Sequence, residues 1–282
     1  MLLAPATLAP ADVGDYYDRL DEFYRSIWGR TLHHGLWFPG ESRSVEAATD
    51  RLLTLLLSSL SLRPGLRVVD IGCGYGVDAH RVAERTGAHV SGLTISHAQA
   101  EKARYITPPI QGKVSIEHGD WLQNTYPAQS FDRAIAVESL SHMQDKKRFF
   151  FEMHRVLIPG GRAAVACWTI EPEPSAAERA LLQVICQAGS LPSLGSMRDY
   201  QDLSHAAGLS LFHSRDLTAL VEPTWGLIAR KTFRTLARPR LLASALKVSL
   251  CRPLIACAIP AMILAFRAGV LRYRAFWMEK VL

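Results

Sequence analysis

Asp70, two residues before the first of Gly72, Gly74 and Gly76, is the densest chemical signal in the chain. Val68, Val69 and Ile71 are β-branched and suit a strand buried on both faces, and glycines after such a strand let the backbone turn tightly and approach a ligand closely. A helix from Val77 to Arg85 follows. The register is Gly-x-Gly-x-Gly, with neither the Gly-Lys-Ser/Thr ending of a phosphate loop nor the Gly-x-Gly-x-x-Gly of a dinucleotide turn. An acid at Asp70 is a poor cradle for pyrophosphate and a good partner for a cationic, amino-bearing ligand. The turn therefore points to S-adenosylmethionine ahead of another nucleotide or a plain structural turn.

Elements that position this turn are legible as a strand–helix alternation. Strands are predicted at Leu66 to Ile71, His89 to Leu93, Lys113 to Glu117, Phe131 to Val137 and Arg162 to Trp168, then at Leu209 to His213 and Val270 to Val281. Helices fill the gaps, including Gln99 to Tyr105 and an amphipathic Asp145 to Leu157 that stops before Pro159-Gly160-Gly161. The alternation predicts an α/β fold, a doubly wound, mostly parallel seven-stranded sheet. Ligands of such sheets sit beyond the carboxyl ends of the strands, where the order reverses, here the turn after the first strand.

Around this core, the spacing predicts a tyrosine-rich helix starting at Asp12, with Tyr16, Tyr17, Leu20, Phe23, Tyr24, Ile27 and Trp28 on one face, then a second helix from Val45 to Leu60 capped by Ser44. Ser175 to Ala188 and Ser196 to Ala207 read as helices, and Trp225 to Phe266 as a long basic and apolar helical stretch. The expected organisation is a helical cap (1–60), an α/β core (61–170), a helical insertion (171–207) and a final unit (208–282) whose two strands flank a helical lid. Met1 to Ala11 lacks the basic start of a secretory signal and reads as a loose tail.

Composition sets limits on partners. The 282 residues are 49% apolar and 21% charged, an ordinary globular balance. Five cysteines without ligand spacing indicate neither a disulfide framework nor a metal site, and suit a reducing cytoplasm. From Trp225 onward eleven Lys/Arg face the lone Glu279, giving +10 there and −4 for the rest of a chain whose net charge is +6. That basic end reads as a lid over an apolar acceptor, lined by Trp225, Leu227, Ile228, Leu254, Ile259 and Met262, or as a peripheral contact with an anionic membrane. No nucleic-acid motif accompanies the charge. The apolar run Pro253 to Phe266 is too short to span a bilayer. An exposed tyrosine-rich first helix could serve a homodimer.

Several short motifs carry a family resemblance. Ile27-Trp28-Gly29 with His33-His34-Gly35, Val69-Asp70-Ile71-Gly72-Cys73-Gly74, Gly92-Leu93-Thr94-Ile95-Ser96 with Gln99, Glu138-Ser139 with His142-Met143, Pro159-Gly160-Gly161 and Pro223-Thr224-Trp225 follow one another in the chain. Together they resemble the class I S-adenosylmethionine-dependent methyltransferases of the γ-tocopherol methyltransferase-like group, and more distantly the lipid cyclopropane synthases.

The resemblance implies a lipophilic small-molecule acceptor from specialised metabolism, such as a prenylated phenol, alkaloid, terpenoid or polyketide. A cyclase or a membrane-surface module on the same fold are the alternatives. It further implies that Asp70, Gly72, Gly74 and Gly76 hold the cofactor's amino-acid end, that Thr94 and Gln99 meet ribose hydroxyls, and that Asp120 and Trp121 meet adenine. His33, His34 and Tyr17 would close over cofactor and acceptor. Glu138, ending the fourth strand, and His142, one turn further, would stand where acceptor and methyl meet. His142 is then the natural proton acceptor. No metal is called for.

Overall fold

The computed structural model describes residues 1–4, 10–41, 44–106, 108–237, 242 and 253–281. Its centre is a seven-stranded sheet built from β1 (Arg67–Ile71), β2 (His89–Thr94), β3 (Lys113–His118), β4 (Phe131–Val137), β5 (Leu157–Ile170), β6 (Leu209–Asp216) and β7 (Leu271–Lys280). The order across the sheet is β3-β2-β1-β4-β5-β7-β6, parallel except for β7, which runs antiparallel to both neighbours. Chain order reverses between β1 and β4, so a crevice opens beyond their carboxyl ends.

Both faces of the sheet are covered, and the alternation of side chains shows how. Val68 belongs to one apolar cluster and Val69 to another; along β5, Ala164 and Ala166 join the first while Ala163, Val165 and Cys167 join the second. Successive strand residues point to opposite faces, so two cores form on one sheet. Helices α1 (Pro10–Trp28), α2 (Val45–Leu57), α3 (Val77–Thr86), α4 (His97–Ala103), α5 (Lys146–Val156), α6 (Ala176–Ala188) and α7 (Met197–Ala206) fill those layers, with the short α8 (Thr218–Val221), α9 (Pro223–Leu236) and α10 (Ala258–Arg267) at the far end. Among the described residues no helix is long and apolar enough to cross a membrane.

Several expectations need correction. β5 begins at Leu157 and runs through Pro159-Gly160-Gly161, because Leu157 still pairs with Phe131 before the register slips to Arg133–Arg162. Residues 1–4 are not a loose tail: Leu2–Leu3 pairs antiparallel with Ser193–Leu194, and the Ala4 amide donates to the Pro192 carbonyl at 2.8 Å, while 5–9 lie outside the described residues. The tyrosines of α1 are not exposed as expected: Tyr16 is 5% exposed and Tyr17 and Tyr24 are half-buried. The basic stretch is not one helix from Trp225 to Phe266; α9 ends at Leu236, a 3₁₀ turn covers Pro253–Cys257, and 238–241 and 243–252 lie outside the described residues.

Candidate active site

The crevice is floored by two turns locked together. Gly72 and Gly74 adopt φ of +74° and +56°, left-handed values that glycine reaches without strain. The Ser139 hydroxyl, just past β4, donates to the Ile71 carbonyl at 2.6 Å, and a Cβ on Gly72 would lie 2.4 Å from the Ser139 Cβ. A Cβ on Gly74 would meet nothing within 4 Å, since that face of the turn borders open space.

That space is a cavity of about 810 Å³, mouth included, lined by Gly72, Gly74, Leu93, Thr94, Ile95, Gln99, Gly119, Asp120, Trp121 and Leu122, with Val13 and Tyr17 from α1 above. Asp120 caps the 3₁₀ turn at Trp121–Gln123 through Oδ1, which accepts from the Leu122 amide at 2.9 Å, while its buried Oδ2 has no partner. The Thr94 hydroxyl donates to Gln99 Oε1 at 2.7 Å, leaving the Gln99 amide nitrogen as a free donor. Ser96 caps α4, accepting from the Gln99 amide at 3.2 Å. Trp121 is 2% exposed and gives its N–H to the Phe149 carbonyl, so only its ring serves the cavity.

A side pocket opens from the same glycines, lined by Arg30, Thr31, His33, Asp70 and Asp78. Both His33 ring nitrogens face acceptors, Nδ1 the His34 carbonyl at 2.7 Å and Nε2 Asp78 at 2.6 Å, so His33 is an imidazolium. Burial opposes that charge, but the charge and hydrogen bond of Asp78 raise its pKa to about 9. The Asp70 carboxyl is pushed up to about 8 by burial and by the Asp78 charge, with His33 acting the other way, and its Oδ2 has no partner.

Both shifts oppose stability at alkaline pH. His33 holds a proton in the folded chain between about 6.5 and 9 that the unfolded chain has lost, and Asp70 does the same up to about 8. Raising pH from 6.5 to 9 is therefore expected to destabilise the unliganded protein by on the order of 1–3 kcal/mol, measured by denaturant midpoints. Lys146, whose buried ammonium is held down to about 7, acts in the opposite sense above pH 7, so the loss is read as the difference between wild type and His33→Gln; identical profiles for the two would remove the imidazolium from this pocket.

A second cavity, about 960 Å³ with its mouth, lies on the other side of the β4 terminus. Tyr16, Phe23, Tyr24, Ile27 and Trp28 of α1, Trp168 of β5, Ile185 of α6, Trp225 and Ile228 of α9, and Ile259 and Met262 of α10 line it. The expected lining is met at Trp225, Ile228, Ile259 and Met262; Leu227 and Leu254 point elsewhere.

Four residues, Tyr17, Leu32, Glu138 and His142, line both the first and the second cavity. His142 Nδ1 lies 3.4 Å from the Ser190 carbonyl, which can only accept, so Nε2 is bare and takes the Tyr17 hydroxyl proton at 2.9 Å. Burial holds the His142 pKa down to about 4, with Ser190 opposing weakly and Lys146 assisting, so the ring is neutral at physiological pH. Glu138 sits at φ +57°, a strained value for a non-glycine. Its Oε1 accepts from the His34 amide at 2.6 Å, His34 Nδ1 at 2.9 Å and the Tyr273 hydroxyl at 2.9 Å. Burial raises its pKa, but the His34 and His33 interactions bring it below the ordinary carboxylate range.

Two expected contacts are absent. His34 is fully buried behind Glu138, ringed by Trp28, Trp168, Trp225, Phe266 and Tyr273, and lines neither the first cavity nor its side pocket. Gly76 turns away to cap α3 and packs against Ile116. Sequence reading also missed Arg30, Thr31, Asp78, Tyr273 and Lys146. Lys146 is 2% exposed and donates to the Ser141 and Met143 carbonyls, gripping the turn on either side of His142. Its place in the apolar stripe Lys146, Phe149, Phe150, Met153 was the available signal.

The residues present fit S-adenosylmethionine. Two buried carboxylate oxygens without partners, at Asp70 and Asp120, stand where an ammonium and an exocyclic amine would complete them, and at Gly74 the turn between them presents bare backbone to open space. Fold and site define a class I S-adenosylmethionine-dependent methyltransferase. The chain belongs to the mycolic acid cyclopropane synthetase family, whose profile matches residues 7–226. It is 35% identical to the 27-O-demethylrifamycin SV methyltransferase of Amycolatopsis mediterranei over 79% of this chain and 82% of that one. With the chloroplastic tocopherol O-methyltransferase of Arabidopsis thaliana it shares 29% over 96% and 82%. The solved structure of a mycolic acid cyclopropane synthase complexed with SAH and CTAB superposes with a TM-score of 0.83 at 21% identity, covering 98% of this chain and 99% of that one. The structure of a [4+2]-cyclase gives 0.78 at 23%, covering all of both chains.

Proposed function

We propose that the chain methylates a lipophilic small molecule of specialised metabolism, bound in the second cavity. The observation that carries this is that Tyr17, Glu138 and His142 border both cavities. When bound, S-adenosylmethionine supplies a sulfonium methyl for in-line displacement. Asp120 would receive the adenine amine, Thr94 and Gln99 the ribose hydroxyls and Asp70 the ammonium, while the His33 imidazolium, its two N–H groups already given to the His34 carbonyl and Asp78, would face the carboxylate through its charge alone. Gly72 and Gly74 let the backbone come close. Neutral His142 accepts a proton from Tyr17 as that phenol takes one from the acceptor. Glu138, triply bonded through one oxygen, holds the wall in shape; His34 and Tyr273 position it.

Asp120→Asn tests the cofactor half cleanly. Oδ1 still caps the Leu122 amide, so the melting temperature should stay put, while an amide nitrogen replaces the oxygen offered to adenine. Calorimetry should show S-adenosylhomocysteine binding weakened by about tenfold or more; unchanged affinity would remove Asp120 from the site. For the transfer half, incubation with S-adenosylmethionine and a panel of lipophilic phenols, macrolactones and terpenoids should give products heavier by one methyl. A product of unchanged mass would favour the cyclase reading instead.

A second reading, peripheral membrane contact, is favoured by Phe233, 81% exposed on α9 beside the exposed Arg230 and Arg234. Sedimentation with phosphatidylserine vesicles should bind the protein at low salt and lose it in Phe233→Asp. Binding indifferent to both salt and that change would count against membrane contact.

A further inference from the structure

The second cavity is not uniformly apolar. Three buried polar atoms on residues that line it have no hydrogen-bond partner: Trp168 Nε1, Trp225 Nε1 and Thr232 Oγ1. The contrast with the other buried indoles is informative. Trp37 gives its N–H to Thr224 at 2.8 Å, Trp121 to the Phe149 carbonyl at 3.2 Å and Trp277 to the Leu56 carbonyl at 2.9 Å. The two buried indole N–H groups left unpaired both belong to this cavity's wall. Trp225 and Thr232 stand seven residues apart on α9 with Ile228 between them, so one helix face that lines the cavity carries two of the three unpartnered groups, set just behind its surface.

Leaving a buried donor unpaired is costly, and native proteins keep such groups where a ligand or water completes them. A hydrocarbon chain in this cavity would complete none of the three. Among the described lining residues Glu138 is the one carboxylate, and no Lys or Arg is present to hold an anionic head group.

We infer that the wall formed by Trp168, Trp225 and Thr232 is a hydrogen-bonding subsite for neutral oxygen functions of the acceptor (carbonyl, ether or hydroxyl) remote from the atom that receives the methyl. This deepens the proposed function and rests on its reading of the second cavity as the acceptor site. The acceptor is accordingly an uncharged, oxygen-bearing lipophile rather than an acyl chain or a phosphorylated one. The indole N–H groups take carbonyl or ether oxygens, and Thr232 can give or accept, so a hydroxyl also fits there.

The test uses a size-matched probe pair, 2-nonanone and nonane, titrated calorimetrically into the full-length protein saturated with S-adenosylhomocysteine. Wild type should bind the ketone about tenfold or more tightly than the hydrocarbon, beyond their difference in solubility. Thr232→Val keeps the shape and Trp225→Phe keeps a ring; each should weaken the ketone by roughly 3- to 30-fold while leaving nonane within about twofold. Melting curves and S-adenosylhomocysteine affinity equal to wild type keep the comparison valid for whichever variant folds, and the wild-type preference stands as a test by itself. Equal binding of the two probes, or equal losses for both in the variants, would overturn the subsite. If neither probe binds while S-adenosylhomocysteine does, the second cavity is not the acceptor site, and that reading falls together with the subsite.

Discussion

Gly72→Ala is expected to abolish cofactor binding and to destabilise the fold by about 2–4 kcal/mol. Two effects add at this position. A non-glycine residue at φ +74° is strained, and its Cβ would lie 2.4 Å from the Ser139 Cβ, a contact that real structures do not tolerate. Ser139 cannot simply yield, because its hydroxyl is tied to the Ile71 carbonyl. The collision would push the β4 terminus, with Glu138, away from the turn after β1. Gly74→Ala is the control: its φ of +56° is strained too, but no atom lies within 4 Å of the new methyl. Its fold should lose only about 1 kcal/mol, while the methyl enters the cofactor's space and weakens binding. Chemical denaturation and calorimetry on the pair separate strain from collision; equal stability losses in the two would refute the Ser139 contact as the cause.

His142→Ala is expected to lower kcat by about 10²- to 10⁴-fold with S-adenosylhomocysteine affinity nearly unchanged. The ring touches both cavities only at their junction, so what it contributes is proton transfer rather than cofactor binding. Its pH signature is specific. Because burial holds the imidazole pKa down to about 4, the base stays neutral well below the usual histidine range. The acid limb of kcat/KM attributable to it should fall nearer pH 4–5 than 6.5. Tyr17→Phe should show a comparable loss, since the phenol stands between the acceptor and His142 in the same relay. A limb at the ordinary histidine value would mean that the turn carrying His142 opens to water during turnover.

What the sequence disclosed was mostly local in origin. Strand β1, its glycine turn and α3 are contiguous, and their β-branched run, acid and glycines announce them. The alternation that followed carried the strands of the sheet, and Val270 to Val281 marked β7, but not its antiparallel direction or its place between β5 and β6. Contacts made at long range were hidden. Glu138 meets His34 and Tyr273 across 104 and 135 residues, and no spacing rule links them. His33 and His34 are neighbours with opposite fates, because the loop bends at His33 and sends one ring to Asp78 and the other to Glu138; the motif predicted that the pair matters without saying which one faces the cofactor. The N-terminal strand escaped for a similar reason: Leu2 and Leu3 pair with Leu194 and Ser193, and two residues are too few for a pattern. Gly76 looked equivalent to Gly72 and Gly74 in spacing, yet the helix it starts had already turned it away from the crevice.

The most direct test of the account is a crystal structure of the protein with S-adenosylhomocysteine bound. The account predicts adenine beside Asp120, the amino-acid end at Asp70 and His33, and the sulfur at the junction bordered by Tyr17, Glu138 and His142, open to the second cavity. A sulfur directed elsewhere, with that junction sealed, would contradict the assignment of the two cavities and with it the site of methyl transfer.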